Sequence, residues 1–483
     1  MILYEKVYVN LKNKIICGIL PAGSQLPSRA KLCEEFNTSE KTVRRSLELL
    51  AQEGLIATQK RKRPIIIYQS MQKTSQLALK QADAIAAVDA LRTGVLLCYP
   101  LIDQGLKLCQ DADWEYLKTI IVSMETVSKE RFWQLSNQFW RYLIARNGNE
   151  LMLRVVDSLG FSELESLHSD AAIRETYRRQ LTQFLKTVKN GGDPASVKFD
   201  DMSAVYGLDN DAEVPPYQVK PDSIFCVGCA DLEQKVRKSE ERYSSICVDI
   251  LGRIAIGQYP KGSRLPSHKE LQSIYGVSID TTLKAIKELQ VLGALKAAPH
   301  SGIEVMMDLD ELKQAPIKPE LIAGNIRLLL DSLELLALSL EGVAASVVSA
   351  VLPDDCLKLQ RELETAWHDP FDHRFIAGIL LQFIIDHIQY ETLKTIYVMI
   401  RKNFIVGRRL PGFISKEKSQ PEYEIYKLCM KASAALEKGE RDQFAVQTAH
   451  LFQLIHLQII RECSQLNYLE AAMNYYDAAK LWQ

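Results

Sequence analysis

Lys41, Arg44 and Arg45 crowd into one short stretch of this chain, and the run Lys60-Arg61-Lys62-Arg63 follows soon after. Cations at that density neutralise phosphates and release their condensed counterions, and an arginine fork can reach guanine O6 and N7 together. The charge is local. Residues 1–70 hold twelve Lys/Arg against six Asp/Glu, while the whole chain is balanced at 59 to 60. A phosphate-bearing partner would therefore meet a patch. No glycine-rich phosphate loop, Ser/His/Asp arrangement or glycine-framed carboxylate pair accompanies these residues, so neither an enzyme nor a cofactor is expected. His373 and His387 lie fourteen residues apart and His450 and His456 six, spacings that miss the i, i+4 face a helical metal site needs. No metal is expected. Cys226-x-x-Cys229 lacks a second pair at zinc-ribbon spacing and reads as ordinary linker sequence.

The cations need a scaffold, and the chain spells it twice. Residues 4–56 and 243–295 align without a gap at an offset of 239, sharing Gly18/Gly257, Pro21/Pro260, Gly23/Gly262, Leu26-Pro27-Ser28/Leu265-Pro266-Ser267, Ser39/Ser278, Thr42/Thr281 and Gly54/Gly293. In the first copy Val7, Leu11 and Ile15 form one apolar stripe, ending at Gly18. Ser28 can cap a second helix with Leu32 and Phe36 inward, and Asn37 stands where a left-handed residue would close it, as Gly276 does in the second copy. Ser39 then caps a helix burying Val43, Leu47 and Leu50 and projecting Lys41, Arg44 and Arg45 elsewhere. Segments 55–58 and 65–68 read as two strands joined by the basic run. A helix-turn-helix followed by a basic hairpin is a winged helix. The second copy is less basic: residues 243–307 carry seven Lys/Arg and five Asp/Glu, and Arg44-Arg45 becomes Leu283-Lys284. Weak binding, another target sequence and a structural role all stay open for it.

The turn Gly18 to Ser28, the run Ser39 to Leu47 and the ending Gly54-Leu55-Ile56 resemble the GntR family of bacterial transcription regulators, over about 65 residues in each copy. The resemblance implies that Ser28, Arg29, Ser39, Lys41, Thr42, Arg44 and Arg45 lie towards DNA, with Lys60, Arg61, Lys62 and Arg63 on the wing and Ser267, Lys269, Ser278, Thr281 and Lys284 as second-copy counterparts. Glu40 stands where the family has arginine after the serine cap, and the basic run replaces its glycine-rich wing tip.

Residues 75–195 and 315–483 are rich in Leu, Ala, Ile and Glu at helical spacing and read as bundles. Ile326 to Ala337, Phe139-Trp140 with Asn147 and Asn149, Phe375-Ile376 with His387, and Glu437 to His450 are similar to helices of the fatty-acid-responsive GntR subgroup. Many members of that subgroup hold a metal through Asp and three His. Trp140 and Ile376 replace the first His here, and His450 alone matches a ligand position.

The expected fold is mainly α: a winged helix-turn-helix at 1–70, an effector-type bundle at 75–195, a connecting segment at 196–239, a second winged helix at 240–310 and a second bundle at 315–483, arranged as an intramolecular pseudo-dimer. Gly191-Gly192-Asp193-Pro194 and Pro215-Pro216 mark the connection as resisting regular structure. Ten scattered cysteines suit a reducing compartment, and Glu334 and Glu341 break the most apolar stretch, so a cytoplasmic chain with no membrane span is expected. The implied partners are a double-stranded DNA operator and an unidentified small-molecule effector, with further homodimerisation open. The alternative is an effector-gated scaffolding protein whose winged helices contact protein.

Overall fold

Val43, Leu47 and Leu50 are buried along one face of a helix, α2 (Glu40–Gln52), against Leu32 of α1 (Arg29–Glu35). In the computed structural model, which describes residues 4, 7, 8, 11, 15, 23–36, 38–52, 55–58, 62–67, 74–159, 164–166, 171–197, 217–219, 239–298, 302–415 and 417–481, helical Val7, Leu11 and Ile15 close the same core. Asn37, the expected helix-ending residue, lies outside the described residues. The hairpin is shorter than its sequence signal, with β1 (Ile56–Ala57) pairing antiparallel to β2 (Ile65–Ile66). Pro64 has no N–H for the ladder, and its carbonyl accepts from Leu26 instead, at 2.9 Å.

The duplication is structural down to single hydrogen bonds. Gly23 N–H donates to Ile66 and Gly262 N–H to Val305, both at 2.8 Å, and Gly23 and Gly262 adopt φ of 84° and 83°. A side chain resists that left-handed backbone, which explains why both copies keep glycine at this turn. The second copy comprises α8 (Ser239–Ala255), α9 (His268–Tyr275), α10 (Ile279–Val291) and the hairpin β5 (Leu295–Ala298) with β6 (Gly302–Val305). Gly276 ends α9 in the left-handed conformation, at φ 61°.

Between the copies run α3 (Thr74–Lys107), α4 (Asp111–Ser123), α5 (Lys129–Ala145), α6 (Glu150–Ser158) and α7 (Ala171–Lys189). The connecting segment is not wholly irregular, contrary to its composition: β4 (Tyr217–Val219) pairs antiparallel with β3 (Leu164–Ser166). A β-forming triplet Tyr-Gln-Val after a proline pair suffices once a partner strand is available. After a short α11 (Leu309–Gln314), the second bundle is built on α12 (Pro319–Val347), with α13 (Pro353–His368), α14 (Ile376–His387), α15 (Glu391–Gly407), α16 (Gln420–Glu437), α17 (Arg441–Gln465) and α18 (Leu469–Met473).

Helix α12 is the hub that links the second winged helix, the second bundle and part of the first bundle. Leu329, Leu333, Leu336 and Leu340 are fully buried, and the helix packs on α17, α8, α15 and α18 as well as on α3 and α6 of the first half. Among the described residues it is the one helix long and apolar enough to cross a membrane, by length and composition alone. Protein covers most of its N-terminal half, and 44% of its most apolar 18-residue stretch is buried; buried Asn325, Arg327, Asp331, Ser332 and Ser339 are the polar content of a bundle interior. One continuous apolar core runs from Leu97 to Ala472 and includes the second winged helix. The first winged helix keeps a separate core of its own.

The second module is fastened to its bundle at α8. Asp249 accepts from Arg253 at 2.7 Å and Tyr275 at 2.8 Å, and it pairs with Arg409 at the end of α15. Burial alone would raise the Asp249 carboxyl, but Arg409 and Arg253 hold it below the usual carboxylate range. One turn on, a Cβ at Gly252 would lie 2.3 Å from Arg409 Cβ and 2.7 Å from its carbonyl oxygen. Ser244 Oγ donates to the Leu321 carbonyl of α12 at 2.8 Å.

A second knot joins the two halves. Arg327 donates to the Gly148 carbonyl at 2.8 Å and pairs with Asp331 at 2.9 Å. Asn149 donates to the Asp331 carbonyl at 3.0 Å and to Glu334 at 2.8 Å. The Tyr476 hydroxyl donates to Asp331 Oδ2 and accepts from the Glu150 amide, each at 2.8 Å. Burial pushes the Asp331 carboxyl up, to about 7, against the pull of Arg327 and Tyr476.

Two measurements follow. Gly252→Ala on a free helix surface would gain up to about 1 kcal/mol, yet here overpacking against Arg409 should cost about 1–3 kcal/mol, so urea unfolding gives the sign directly. Arg327→Met leaves Asp331 buried without its cation, a loss of about 3–5 kcal/mol where the carboxylate must be ionised. The folded state already holds the Asp331 proton to higher pH than the unfolded chain does, so that group's contribution falls as pH rises from about 4 to 7. Without Arg327 the decline should extend further, making the variant's deficit larger at pH 8 than at pH 5.5 in thermal melts.

Candidate nucleic-acid interface

In the first copy, Ser28 Oγ accepts from the Lys31 amide at 3.2 Å and Ser39 Oγ from the Thr42 amide at 3.3 Å, so both serines cap their helices as their positions in the sequence require. The Ser39 and Thr42 hydroxyls lie 2.9 Å apart. Burial of Val43, Leu47 and Leu50 turns Lys41, Arg44 and Arg45 out to solvent on the remaining arc of α2. Arg29 is exposed beside them, and exposed Lys62 and Arg63 extend the basic surface on the wing. Lys60 and Arg61 lie outside the described residues.

Carboxylates thread this surface. Arg29 approaches Glu40 at 3.7 Å, and Glu48 draws both Arg44, at 3.6 Å, and Arg45, at 3.4 Å. All are solvent-exposed, so each pair is worth at most about 1 kcal/mol and an incoming phosphate can displace it. Arg45 also sits 5.9 Å from the Tyr4 ring centroid. The i, i+3 and i, i+4 spacings of Glu48 to its arginines are legible in the sequence. Tyr4, shared with Tyr243 across the repeat, had no role assigned from the sequence; its pairing with Arg45 could have been found from the repeat, since Tyr4/Tyr243 and Arg45/Lys284 share the offset of 239.

The second copy keeps the frame and changes the face. Ser267 and Glu270 cap each other's backbone, at 2.8 and 3.3 Å, and the Ser278 and Thr281 hydroxyls lie 2.9 Å apart. Lys269 is exposed. Lys284 is exposed too, with its ammonium 3.8 Å from the Tyr243 ring centroid, a cation–π distance. Where α2 presents Glu40, Lys41 and Arg44, α10 presents Ile279, Asp280 and Leu283, and the two aliphatic residues stand 48% and 45% exposed. Among the described residues, Arg29, Lys41, Arg44, Arg45, Lys62 and Arg63 are exposed in the first copy, and of the residues expected to face DNA in the second copy the exposed cations are Lys269 and Lys284.

Among the described residues no three His, Cys, Asp or Glu side chains gather into a metal-holding group. His450 is exposed, and Cys226 and Cys229 lie outside the described residues.

Three helices and an antiparallel hairpin, with the turn before α1 or α9 bridged to the wing strand at Gln25–Ile65 and Arg264–Glu304, define a winged helix-turn-helix protein with the module present twice. Residues 3–65 and 242–305 each match the family profile described as bacterial regulatory proteins, gntR family. The chain thus carries two GntR-type winged-helix modules, one in each half. A comparison with curated proteins gave no match. Among solved structures, it is similar to a GntR protein of Streptococcus agalactiae at 17% identity, over 46% of this chain and 100% of that one, with a TM-score of 0.22. McbR/YncC of E. coli is 20% identical over 48% and 100% of the respective chains, with a TM-score of 0.23. At these TM-scores neither superposition bears on the fold.

Proposed function

We propose that this protein is a transcription regulator that grips double-stranded DNA through its first winged helix. The observation that supports this reading is the exposure of Lys41, Arg44 and Arg45 on one arc of α2, continued by Lys62 and Arg63, in a module whose frame is that of the family. Arg44 or Arg45 reads a base edge while the lysines and the wing position the backbone. The second winged helix has become the fixed member of the pair, its recognition face aliphatic and its first helix clamped to the bundle by Asp249 and Arg409. Inverted repeats require two readers about 34 Å apart, so a second chain would supply the other basic module. Effector control enters through the bundles: a molecule that prefers one arrangement of the helices around α12 shifts the module docked on them. Such a regulator works in the cytoplasm, where the chromosome is.

The specific observation favouring a protein partner is confined to the second copy, where Ile279 and Leu283 are exposed in place of Glu40 and Arg44. There the scaffolding alternative holds for one module without displacing DNA binding by the other.

Anisotropy titrations of genomic DNA fragments against salt test the assignment. Arg44→Ala with Arg45→Ala should weaken binding to every fragment and reduce the log–log salt slope by about 1.8, at roughly 0.9 per phosphate contact. Lys269→Ala with Lys284→Ala should leave affinity within about twofold. An unchanged salt slope in the arginine pair, or a large loss in the lysine pair, rejects the division of labour.

A further inference from the structure

Helices α4 and α7 of the first bundle enclose a groove of about 450 Å³ that none of the DNA-binding argument uses. That volume falls in the range of small-molecule sites, about 300–1,000 Å³. Its floor is apolar, formed by Trp114, Ile121 and Leu185. Its rim carries Lys118, Arg178, Lys186 and Lys189, and no carboxylate lines it.

The neighbouring acids neutralise this rim unevenly. Lys118 pairs with Glu115 at 2.7 Å, and Arg178 pairs with Glu175 at 2.9 Å and approaches Glu125 at 3.8 Å. Lys189 reaches Glu115 only at 3.9 Å. Among the described residues Lys186 makes no ion pair. Positive charge therefore remains at the end of the groove where Lys186 and Lys189 stand, one turn apart on α7. An apolar trough ending in two under-neutralised ammonium groups complements a molecule with an apolar body and a single anionic end. A polyphosphate would satisfy the rim and leave the trough uncovered; an uncharged hydrocarbon would do the reverse.

We propose that the groove between α4 and α7 binds an amphipathic carboxylate, its carboxyl group on Lys186 and Lys189 and its apolar body against Trp114, Ile121 and Leu185. As an effector site it rests on the regulator reading above; as a binding site it does not. The body is either aryl or short acyl, since both present one carboxylate on a compact apolar frame.

Calorimetric titration of the full chain with naphthalene-2-carboxylate and with octanoate, each beside its neutral amide, tests the site. At least one carboxylate should bind saturably at one per chain, and its amide at least about tenfold more weakly. Which carboxylate binds distinguishes the aryl from the acyl body. Lys186→Glu with Lys189→Glu should weaken that carboxylate at least about tenfold with the melting temperature held, and Lys186→Gln should fall between. Saturable binding by neither acid, equal binding of acid and amide, or affinity unchanged in the charge-reversed protein overturns the proposal. Anisotropy on DNA with the ligand present is a separate readout. Binding with no change in DNA affinity leaves the site standing and removes its regulatory role.

Discussion

The buried pairing of Asp249 with Arg409, and the missing side chain at Gly252 beside it, set the character of the molecule. A small winged helix buries little apolar surface of its own, so whether it stands alone or shares a neighbour's core decides how freely it moves. The second module shares: its helices belong to the same continuous core as the bundles, and its leading helix is held at contact distance by a backbone that would meet any Cβ at Gly252. Among the described residues, the first module's buried side chains form a cluster of their own. Two copies of one frame thus differ both in how their cores are connected and in what their recognition helices expose. Where the first module presents Glu40 and Arg44, the second presents the exposed aliphatics Ile279 and Leu283 beside its lysines.

Much of this was legible in the residues. The two helix-turn-helix frames, the serine caps at Ser39 and Ser278, the left-handed Gly276 and the outward arc of Lys41, Arg44 and Arg45 all follow from local chemistry: periodicity, cap geometry and the tolerance of glycine. Local rules failed where the cause was distant. The strand Tyr217–Val219 lay in a stretch whose composition reads as linker, because a strand of three residues is fixed by its partner rather than by its own preference. The knot of Gly148, Asn149, Arg327, Asp331 and Tyr476 joins residues up to 328 positions apart, and no spacing rule connects them. The stacking of Lys284 on Tyr243 was recoverable in principle, by asking which pairs the repeat had carried together.

The polar interior of α12 is more than a curiosity of packing. A helix apolar enough to sit in lipid is given Asn325, Arg327, Asp331 and Ser332 at its buried face, and each of these reaches across to another element: Asn325 to Ser245 of α8, Arg327 to Gly148, Asp331 to Tyr476, Ser332 to Asn403. Apolar contact alone would let neighbouring helices slide along so uniform a surface. Directional bonds fix their register, at the cost that every partner must stay in place.

Glu48 holds two arginines at once on the exposed helix of the first module, with Glu40 close to a third. On a duplex those acids would oppose the polyanion while the guanidiniums are drawn to it, so contact with an arbitrary stretch gains little. Only a site offering base edges in register with the freed forks would repay the exchange. A reader of that construction spends less of its search time parked on the wrong sequence.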